Sequence, residues 1–510
     1  MSQPRLFASR RDEGQRTHDR VHYSYPRRGP HMKRAMKIRT LRRALKRAQS
    51  YSAWLRNAHE LDTLLELDRW RRSPDSNVYN AKSLAEHISR LKGYRLSGSI
   101  GALQEFLPES LYQNLSALNS ETLYRGAHAG TKDLVVDYFK EAVEGIDYLA
   151  DTDNPSWSEQ EKLNRFRQAQ ESFGRTALLL SGGATLGYYH LGVAKALWQE
   201  GLLPQVISGS SMGAIIASSI CTRANSQLGS WFDEAIFAPG KSLELQGLLD
   251  AAKTRSLLDQ TVLRESLGRA IPDLTFHESF TVSGRVLNIT VSPTRGRQKP
   301  RILNHRTAPD VYVIDACLAS AAVPGLFKPV TLKKKTRSGR RVDYLASERW
   351  SDGSLTGDVP KKRLSRLQNV NHFIVSQTNP HVLPFIHASS GLGPARRLAT
   401  VTGEFLRGQT KAFLATGRQL VDGSGLESLV KSAESFMTQD YGGDITIHPS
   451  FDADLYIRMF SNPSPDVMAR FILEGQRSTW PMVEQIRLQT AIGRALNGAI
   501  ARIIRRQQRP

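Results

Sequence analysis

Short apolar runs alternate with helical apolar spacing through the middle of the chain. Four of these runs predict buried strands, at Thr176–Leu180, Val206–Ile207, Val286–Val291 and His372–Ser376. Strands that alternate with helices are typical of an α/β fold, in which helices cover both faces of a mostly parallel sheet. We therefore predict a three-layer α/β domain, with its ligand site at the carboxyl ends of the strands.

The chain before this region has helical spacing almost throughout. The stretch from Lys33 to Arg56 begins as a basic amphipathic helix, with Ile38, Leu41 and Leu45 on one stripe and lysines and arginines over much of the rest. Such a helix either lies in a membrane interface or packs its apolar stripe against the protein. Further apolar series follow through residues 57–170, with glycines and prolines between them, and predict a helical domain.

The chain after the predicted sheet is also mainly helical. We predict helices at Ala395–Leu420 and Val467–Ile504, and a strand between them at Tyr441–Ile447. The last helix carries Ile492, Leu496, Ala499 and Ile503 on one stripe with arginines among them. Like the first helix, this one either packs on the core or lies on a membrane surface.

These patterns divide the chain into four parts. Residues 1–31 are polar and basic and are expected to form a disordered tail, so Met1 and Met32 are both compatible with the true start. Residues 32–170 form the N-terminal helical domain and residues 172–380 the α/β domain. Residues 381–510 form a mainly helical C-terminal region.

The composition is strongly basic, with 70 Lys and Arg against 48 Asp and Glu among 510 residues and a net charge of +22. This charge favours nucleic acid, anionic lipid or acidic partners. No zinc-finger, RNP or KH signature accompanies it, so no specific nucleic-acid partner is predicted. The two cysteines, Cys221 and Cys317, lie in apolar helical contexts and are expected to be small core residues.

Targeting and cofactor signals are absent from the sequence. No apolar run reaches the ~18 residues of a spanning helix, and the N-terminus has no apolar segment typical of a signal peptide. No metal-ligand cluster occurs among the 13 histidines, so neither a metal nor another cofactor is predicted. We expect a cytoplasmic protein that can associate peripherally with a membrane.

The first candidate for chemistry is the turn Gly209-x-Ser211-x-Gly213, which lies between a predicted strand and a predicted helix. A turn this tight requires small flanking residues and exposes the serine at its apex. The N-terminus of the following helix favours the negative charge that a reacting serine develops. The alternative is a Gly/Ser loop that only turns the chain.

A second strand-to-helix turn, Ser181-Gly182-Gly183-Ala184, precedes this one. Its consecutive backbone N–H groups can bind an anion, either a nucleotide phosphate or the oxyanion of an acyl-transfer intermediate. A phosphate loop would be marked by a Walker lysine or a GxGxxG spacing, and the sequence has neither. Because a serine turn follows directly, the oxyanion hole is favoured.

The third motif is Asp352-Gly353, in a dipeptide that is also a common turn. The three motifs together, in this order and spacing, resemble the patatin-like phospholipase family. The segment from Leu123 to Leu134 resembles the helical domain that precedes the patatin domain in yeast and plant triacylglycerol lipases and their bacterial relatives. This resemblance covers most of the chain from about residue 40 to 480.

The resemblance implies a Ser–Asp dyad in place of a Ser–His–Asp triad. Ser211 would be the nucleophile and Asp352 the general base, and the backbone N–H groups of Gly182, Gly183 and Ala184 would form the oxyanion hole. Ala184 departs from the family, because many relatives have a third glycine there. A methyl group should be tolerated at that position if its φ is negative.

The resemblance also implies the substrates. These would be long-chain acyl esters of glycerolipids, cleaved through an acyl-enzyme. The basic charge and the amphipathic helices agree with an anionic membrane or a lipid-droplet surface. The sequence does not distinguish triacylglycerol from phospholipid or lysophospholipid, and it indicates no oligomeric state. A lipid-binding or acyl-transfer protein on the same fold is the alternative function.

A histidine triad is the alternative mechanism. The chain order Ser–Asp–His would permit His372, His381 or His448 as the base. His190 and His305 also lie in motif-rich segments, where we expect them to act in packing or in loops. The glycine loop directly before the serine turn and the Asp-Gly context of Asp352 favour the dyad.

Overall fold

The computed structural model describes most of the helical and α/β parts of the chain. The described residues are 30–153, 157–234, 259–295, 298–323, 326–353, 358–379, 442–449 and 463–508. The predicted basic tail lies outside this set except for its last two residues, which open the first helix. The predicted helix at Ala395–Leu420 and the histidine at position 381 also lie outside it.

The N-terminal part is built from helices, as its spacing predicts. These are α1 (Pro30–Arg47), α2 (Tyr51–Leu64), α3 (Leu67–Arg72), α4 (Ala81–Leu96), α5 (Ile100–Leu118), α6 (Asp133–Asp151) and α7 (Glu159–Phe173). The helical pattern predicted from Lys33 to Arg56, which has a gap at Ser52, is interrupted once in the structure. The chain leaves the helix after Arg47 and starts again at Tyr51, because the Ser50 side chain accepts a hydrogen bond from the N–H of Ala53 and caps α2.

The apolar stripe of α1 packs on the protein. Leu41 of α1 and Ala48, directly after the helix, are buried, and basic side chains of α1 bind α2. Lys37 forms an ion pair with Glu60 at 2.7 Å, and the Arg34 guanidinium donates to the carbonyl of Leu64 at 2.6 Å. Of the two predicted roles for this helix, the packing role is the one that the structure shows.

The central part alternates strands and helices. Its strands are β1 (Arg175–Leu180), β2 (Val206–Gly209), β3 (Val286–Pro293), β4 (Arg301–Leu303), β5 (Lys333–Lys335), β6 (Arg341–Asp343), β7 (Trp350–Asp352) and β8 (Val370–Ser376). Its helices are α8 (Tyr188–Gln199), α9 (Met212–Cys221), α10 (Leu228–Glu234), α11 (Gln260–Ala270), α12 (Phe276–Ser283), α13 (Val313–Ser320) and α14 (Lys361–Gln368). The C-terminal part adds β9 (Ile445–Ile447), α15 (Pro465–Thr479), α16 (Val483–Gln489) and α17 (Ala491–Gln507).

The main sheet has the strand order β4-β3-β2-β1-β8-β9, with β7 also paired to β3. Strands β3, β2, β1, β8 and β9 are parallel, whereas β4 and β7 run antiparallel to β3. Successive residues of β1 enter different apolar clusters: Leu178 and Leu180 lie on one face, and Ala177 and Leu179 on the other. The predicted mostly parallel sheet covered on both faces is confirmed.

The C-terminal part completes both halves of the molecule. Strand β9 extends the main sheet beyond residue 380. Helix α17 packs on α6 and α7, and its apolar stripe of Ile492, Leu496, Ala499 and Ile503 is buried in the helical core. Arginines on the same helix bind α6, with Arg502 2.6 Å from Asp147. The predicted stripe therefore belongs to the core.

Two further predictions concern the burial of the cysteines and the length of apolar helices. Cys221 and Cys317 are both buried, as predicted for small core residues. No helix among the described residues combines the length and apolar content needed to cross a bilayer.

Helices α8 and α15 pack closely because each has a glycine at the contact. A Cβ added at Gly192 would lie 1.9 Å from the carbonyl oxygen of Ile472, and one added at Gly475 would lie 2.1 Å from that of Tyr189. Both obstacles are backbone atoms, which cannot rotate away as a side chain can. The contact holds the C-terminal helices against α8, the helix that follows the glycine loop.

This contact predicts a stability effect. We expect Gly192→Ala to destabilise the protein by about 3 kcal/mol, because the new methyl group forces two helix backbones apart. Gly93→Ala is the matched control, since nothing lies within 4 Å of its added Cβ in α4, and it should stabilise by about 0.5–1 kcal/mol. Thermal unfolding of both variants measures the difference. Equal midpoints for the two variants would contradict the packing.

Candidate active site

The serine turn has the geometry of a strained strand-to-helix elbow. Ser211 lies between β2 and α9 with φ 53° and ψ −124°, a conformation that non-glycine residues rarely adopt. Such strain costs about 1–3 kcal/mol and persists only where the surroundings impose it. The flanking glycines are part of those surroundings. An added Cβ at Gly209 would lie 2.3 Å from the carbonyl oxygen of Gly213, and one at Gly213 would lie 2.2 Å from that of Leu180.

Sheet pairing places Asp352 next to this elbow. Strand β2 ends at Gly209, which pairs with Ile289 of β3, and the Ser210 hydroxyl contacts the hydroxyl of Thr290. Asp352 pairs with the following residue of β3, Val291. Because β4 occupies the other edge of β3 at Val291, β7 continues along the edge that β2 leaves. Asp352 therefore lies on the same edge of β3 as β2. It pairs with the residue that follows Thr290, the β3 residue that contacts the serine turn.

The end of α13 holds both candidate catalytic residues by their backbones. The Ser211 N–H donates to Ser320 Oγ at 3.0 Å. The Asp352 N–H donates to the carbonyl of Ala322 at 3.0 Å. Asp352 is 2 % exposed, and Gly353 after it lies against the backbone of Thr290. Two residues far apart in sequence thus share one short acceptor segment.

The glycine loop differs in one respect from the predicted oxyanion hole. The Gly182 N–H donates to Asp358 Oδ1 at 2.8 Å, so in this structure it is directed at a carboxyl group. Within the described part of the chain, the N–H groups of Gly183 and Ala184 have no acceptor. They form the first turn of a short 3₁₀ helix, where N–H groups have no partner inside the helix.

The condition under which a methyl group at Ala184 would be tolerated, a negative φ, is not met. The φ of Ala184 is 48°, in the left-handed region where a methyl group is strained and glycine is favoured. The alanine therefore occupies a position whose backbone suits the glycine found in many relatives. The loop carries this strain beside the site.

A buried hydrogen-bond network also fixes the glycine loop. His190 Nε2 donates to the carbonyl of Ser181 at 2.9 Å, and Nδ1 lies 2.7 Å from the Ser376 hydroxyl. Because a carbonyl can only accept, Nε2 carries the proton. Burial lowers the pKa of His190 to about 4, so the ring stays neutral at neutral pH. Thr378 Oγ1 donates to the Gly182 carbonyl at 3.0 Å, which fixes the other side of the loop.

Asp358 links the glycine loop, the serine turn and the end of β8. Its Oδ1 accepts from Gly182, its Oδ2 accepts from the amide of Asn379, and its carbonyl accepts from Ser210 Oγ at 3.0 Å. Burial raises the pKa of Asp358 to about 8. The negative charge of Asp352 acts in the same direction, and the hydrogen bonds from Gly182 and Asn379 oppose both. Near neutral pH, Asp358 therefore favours its protonated form.

The histidines proposed for a triad are not all described. His372 lies at the amino end of β8, where its ring nitrogens contact Thr176 Oγ1 at 3.1 Å and Gln489 Oε1 at 3.1 Å. The serine turn follows the carboxyl end of the parallel strand β2. His372 and the serine turn therefore lie at opposite ends of the parallel strands. His448 lies after β9, with its Nδ1 3.2 Å from the Pro449 carbonyl. His305 stacks on Phe280, as expected for a packing residue.

The sequence patterns did not identify several residues that build the site. The spacing of the glycine-rich turns does not mark Asp358, Ser320, Thr378 or Asn379, because none of them belongs to such a turn. One signal was available for Asp358: an acidic residue two positions before Pro360, near the Asp-Gly motif. Its contact with Gly182 spans 176 positions and cannot be read from spacing.

Two family profiles match adjoining parts of the chain. The profile of the patatin-like phospholipase family matches residues 178–362. The profile of a domain of unknown function (DUF3336) matches residues 31–171. Together they cover the helical N-terminal part and the part that contains all three motifs.

Curated relatives match over most of the chain. Triacylglycerol lipase ptl3 of Schizosaccharomyces pombe is 32% identical over 90% of this chain and 97% of its own length. Triacylglycerol lipases 4 and 5 of Saccharomyces cerevisiae are 32% and 30% identical over 89% of this chain, which spans 52% and 64% of their lengths. The resemblance inferred from the motifs is confirmed.

Among solved structures, VipD from Legionella pneumophila matches with a TM-score of 0.27 and 13% identity. The match covers 59% of this chain and 67% of that one. Similarity at this level supports no statement about a shared fold or activity.

The contacts of Asp358 predict a kinetic effect. Asp358→Ala removes the acceptor of the Gly182 N–H and should lower ester hydrolysis by about 10²-fold, because small displacements of catalytic groups have effects of that size. Asp358→Asn keeps one acceptor oxygen and should retain more activity. We expect kcat to fall while KM stays nearly unchanged, because the oxyanion forms in the transition state and not in the bound substrate. A rise in KM at constant kcat would contradict this role.

The raised pKa of Asp358 predicts a pH-dependent stability. Between the ordinary aspartate pKa of about 3.9 and about 8, the folded state binds more protons at this group than the unfolded state. The group's stabilising contribution is therefore complete below pH ~4 and declines as pH rises through about 8. The thermal midpoint of the wild type should fall relative to that of Asp358→Asn between pH 5 and 8.5. A constant difference would show that this carboxyl does not titrate there.

Proposed function

The chain belongs to the patatin-like phospholipase family, and from that premise we propose that it is a serine hydrolase of glycerolipid acyl esters. One observation carries the proposal. The strained Ser211 and the buried Asp352 are held by backbone hydrogen bonds to the same segment, at Ser320 and Ala322. A catalytic alcohol and a base need this kind of preorganisation.

In the proposed reaction, Asp352 accepts the proton of Ser211 Oγ as the oxygen attacks the ester carbonyl. The carbonyl oxygen becomes negative and binds backbone N–H groups of the glycine loop. We assign this binding to Gly183 and Ala184, because the Gly182 N–H already donates to Asp358. Asp358 then positions the oxyanion hole, and Asp352, as the base, has to be ionised.

The acyl group passes to Ser211 as the alcohol part of the lipid leaves. Proton return from Asp352 assists that departure. Water then attacks the acyl-serine and releases a fatty acid, with the same two residues acting in reverse. A lipid alcohol in place of water would give acyl transfer on the same intermediate.

The substrate class rests on the relatives, whose names are those of triacylglycerol lipases. We propose long-chain glycerolipid esters, met at an anionic membrane or a lipid-droplet surface. The net charge of +22 supports attraction to an anionic surface. We propose that residues 32–170 form a scaffold for the α/β domain of residues 172–380, and that the C-terminal region 381–510 completes both through β9 and α17.

The dyad predicts a distinct set of variants. Ser211→Ala should abolish ester hydrolysis and labelling by a fluorophosphonate probe. Asp352→Asn should lower kcat by at least about 10³-fold, because the base is lost. Single alanine variants at His372, His381 and His448 are the matched controls and should keep esterase activity.

Two outcomes would decide against the dyad. Near-normal hydrolysis by Asp352→Asn, with loss in one histidine variant, would establish a triad. Lipid binding without turnover or probe labelling in the wild type would establish a binding protein on this fold. Products identified by mass from a panel of triacylglycerol, phospholipid and lysophospholipid would assign the substrate.

A further inference from the structure

A cavity of about 860 Å³ lies in the helical part of the molecule, away from the proposed catalytic site. Helices α5 and α7 form its walls, and α6 and α17 contribute residues between them. Thr176 and His372, at the amino ends of β1 and β8, also line it. The glycine loop lies five residues further along β1, which corresponds to about 16 Å of strand.

We propose that this cavity binds a long-chain fatty acid. Its volume is within the range of about 300–1,000 Å³ that is typical of small-molecule sites. Leu107, Leu111 and Leu115 of α5 line it, as do Phe166 and Phe173 of α7. These side chains give an extended apolar wall of the kind that an acyl chain covers.

The polar groups of the cavity favour an anionic head group. The Arg165 guanidinium lies 4.6 Å from the centre of the Trp157 ring, on the solvent side of α7. Throughout the described ranges, no carboxylate forms an ion pair with this arginine. The Nε2 atom of Gln104 is buried and has no hydrogen-bond partner among the residues that the structure describes. Both groups are donors that a carboxylate could satisfy.

The acidic groups of the cavity are already bound. Glu121 forms an ion pair with Arg125, and Asp444 Oδ2 accepts the N–H of Phe373 at 2.7 Å. The cavity therefore combines two carboxylates that already have partners with one buried donor that has none, Gln104 Nε2, and one solvent-exposed guanidinium, that of Arg165. A single apolar chain that ends in a carboxylate matches this combination, with the head group at Arg165 and the chain along α5.

Fatty acid binding at this cavity and the proposed hydrolysis can be tested separately. The cavity does not contain Ser211 or Asp352, so fatty acid binding does not require hydrolysis. If hydrolysis does occur, it releases the same class of molecule, and the cavity would then be a second site for the product.

The experiment is a titration of the full-length Ser211→Ala variant, which cannot turn over ester, with the fluorescent fatty acid cis-parinaric acid. We expect saturable binding at this cavity. Adding Ala169→Trp, on the cavity wall of α7, should fill the space and weaken binding at least tenfold. Adding Arg165→Gln should weaken it about tenfold, the effect of one charge-assisted hydrogen bond. Arg167→Gln, on the same helix but outside the lining, is the matched control and should bind normally.

Two further ligands test the head group. The methyl ester of the fatty acid should bind more weakly than the acid to the unmodified cavity and equally to Arg165→Gln. A lysophospholipid that bound more tightly than the fatty acid would overturn the assignment.

Thermal midpoints show whether the Ala169→Trp and Arg165→Gln variants are folded. Binding that neither Ala169→Trp nor Arg165→Gln changes would locate the ligand elsewhere and refute this cavity. Such a result would leave the proposed hydrolysis intact.

Discussion

Buried backbone N–H groups at the carboxyl edge of the sheet must each find an acceptor, and this constraint shapes the site. The N–H of Gly182 donates to the Asp358 carboxyl group, that of Ser211 to the Ser320 hydroxyl and that of Asp352 to the Ala322 carbonyl. Each bond joins segments distant in sequence, so the loops cannot shift separately. The N–H groups of Gly183 and Ala184 have no acceptor among the described residues, and the proposed oxyanion binds there.

Two buried carboxyl groups near one another would repel if both were ionised. Asp358 avoids this repulsion through a raised pKa, to which burial and the charge of Asp352 both contribute. A protonated Asp358 removes this repulsion. In the proposed mechanism, one carboxyl group accepts a proton and the other orients backbone N–H groups. His190, held neutral by burial, supports the loop without adding charge.

The basic composition has a structural use besides any role at a surface. Arg502 and Arg506 of α17 form ion pairs with Asp147, Asp151 and Glu159 on α6 and α7. Helix α17 thereby joins the end of the chain to its first half. Partly exposed pairs of this kind contribute little energy each, about 0–1 kcal/mol. The buried apolar stripe of α17 therefore contributes most of the attachment.

The sequence alone determined the features that depend on neighbouring residues. The Gly209-x-Ser211-x-Gly213 turn, the glycine loop and the alternation of strands and helices could be predicted, because spacing of a few residues encodes them. The tertiary structure alone decided that the Gly182 N–H faces Asp358 and that Ala184 has a positive φ. It also decided that α1 ends before Ser50 and that β9 and α17 complete cores begun earlier in the chain. These outcomes depend on contacts across many tens to hundreds of positions, and a local pattern contains no information about which distant group will meet a given N–H.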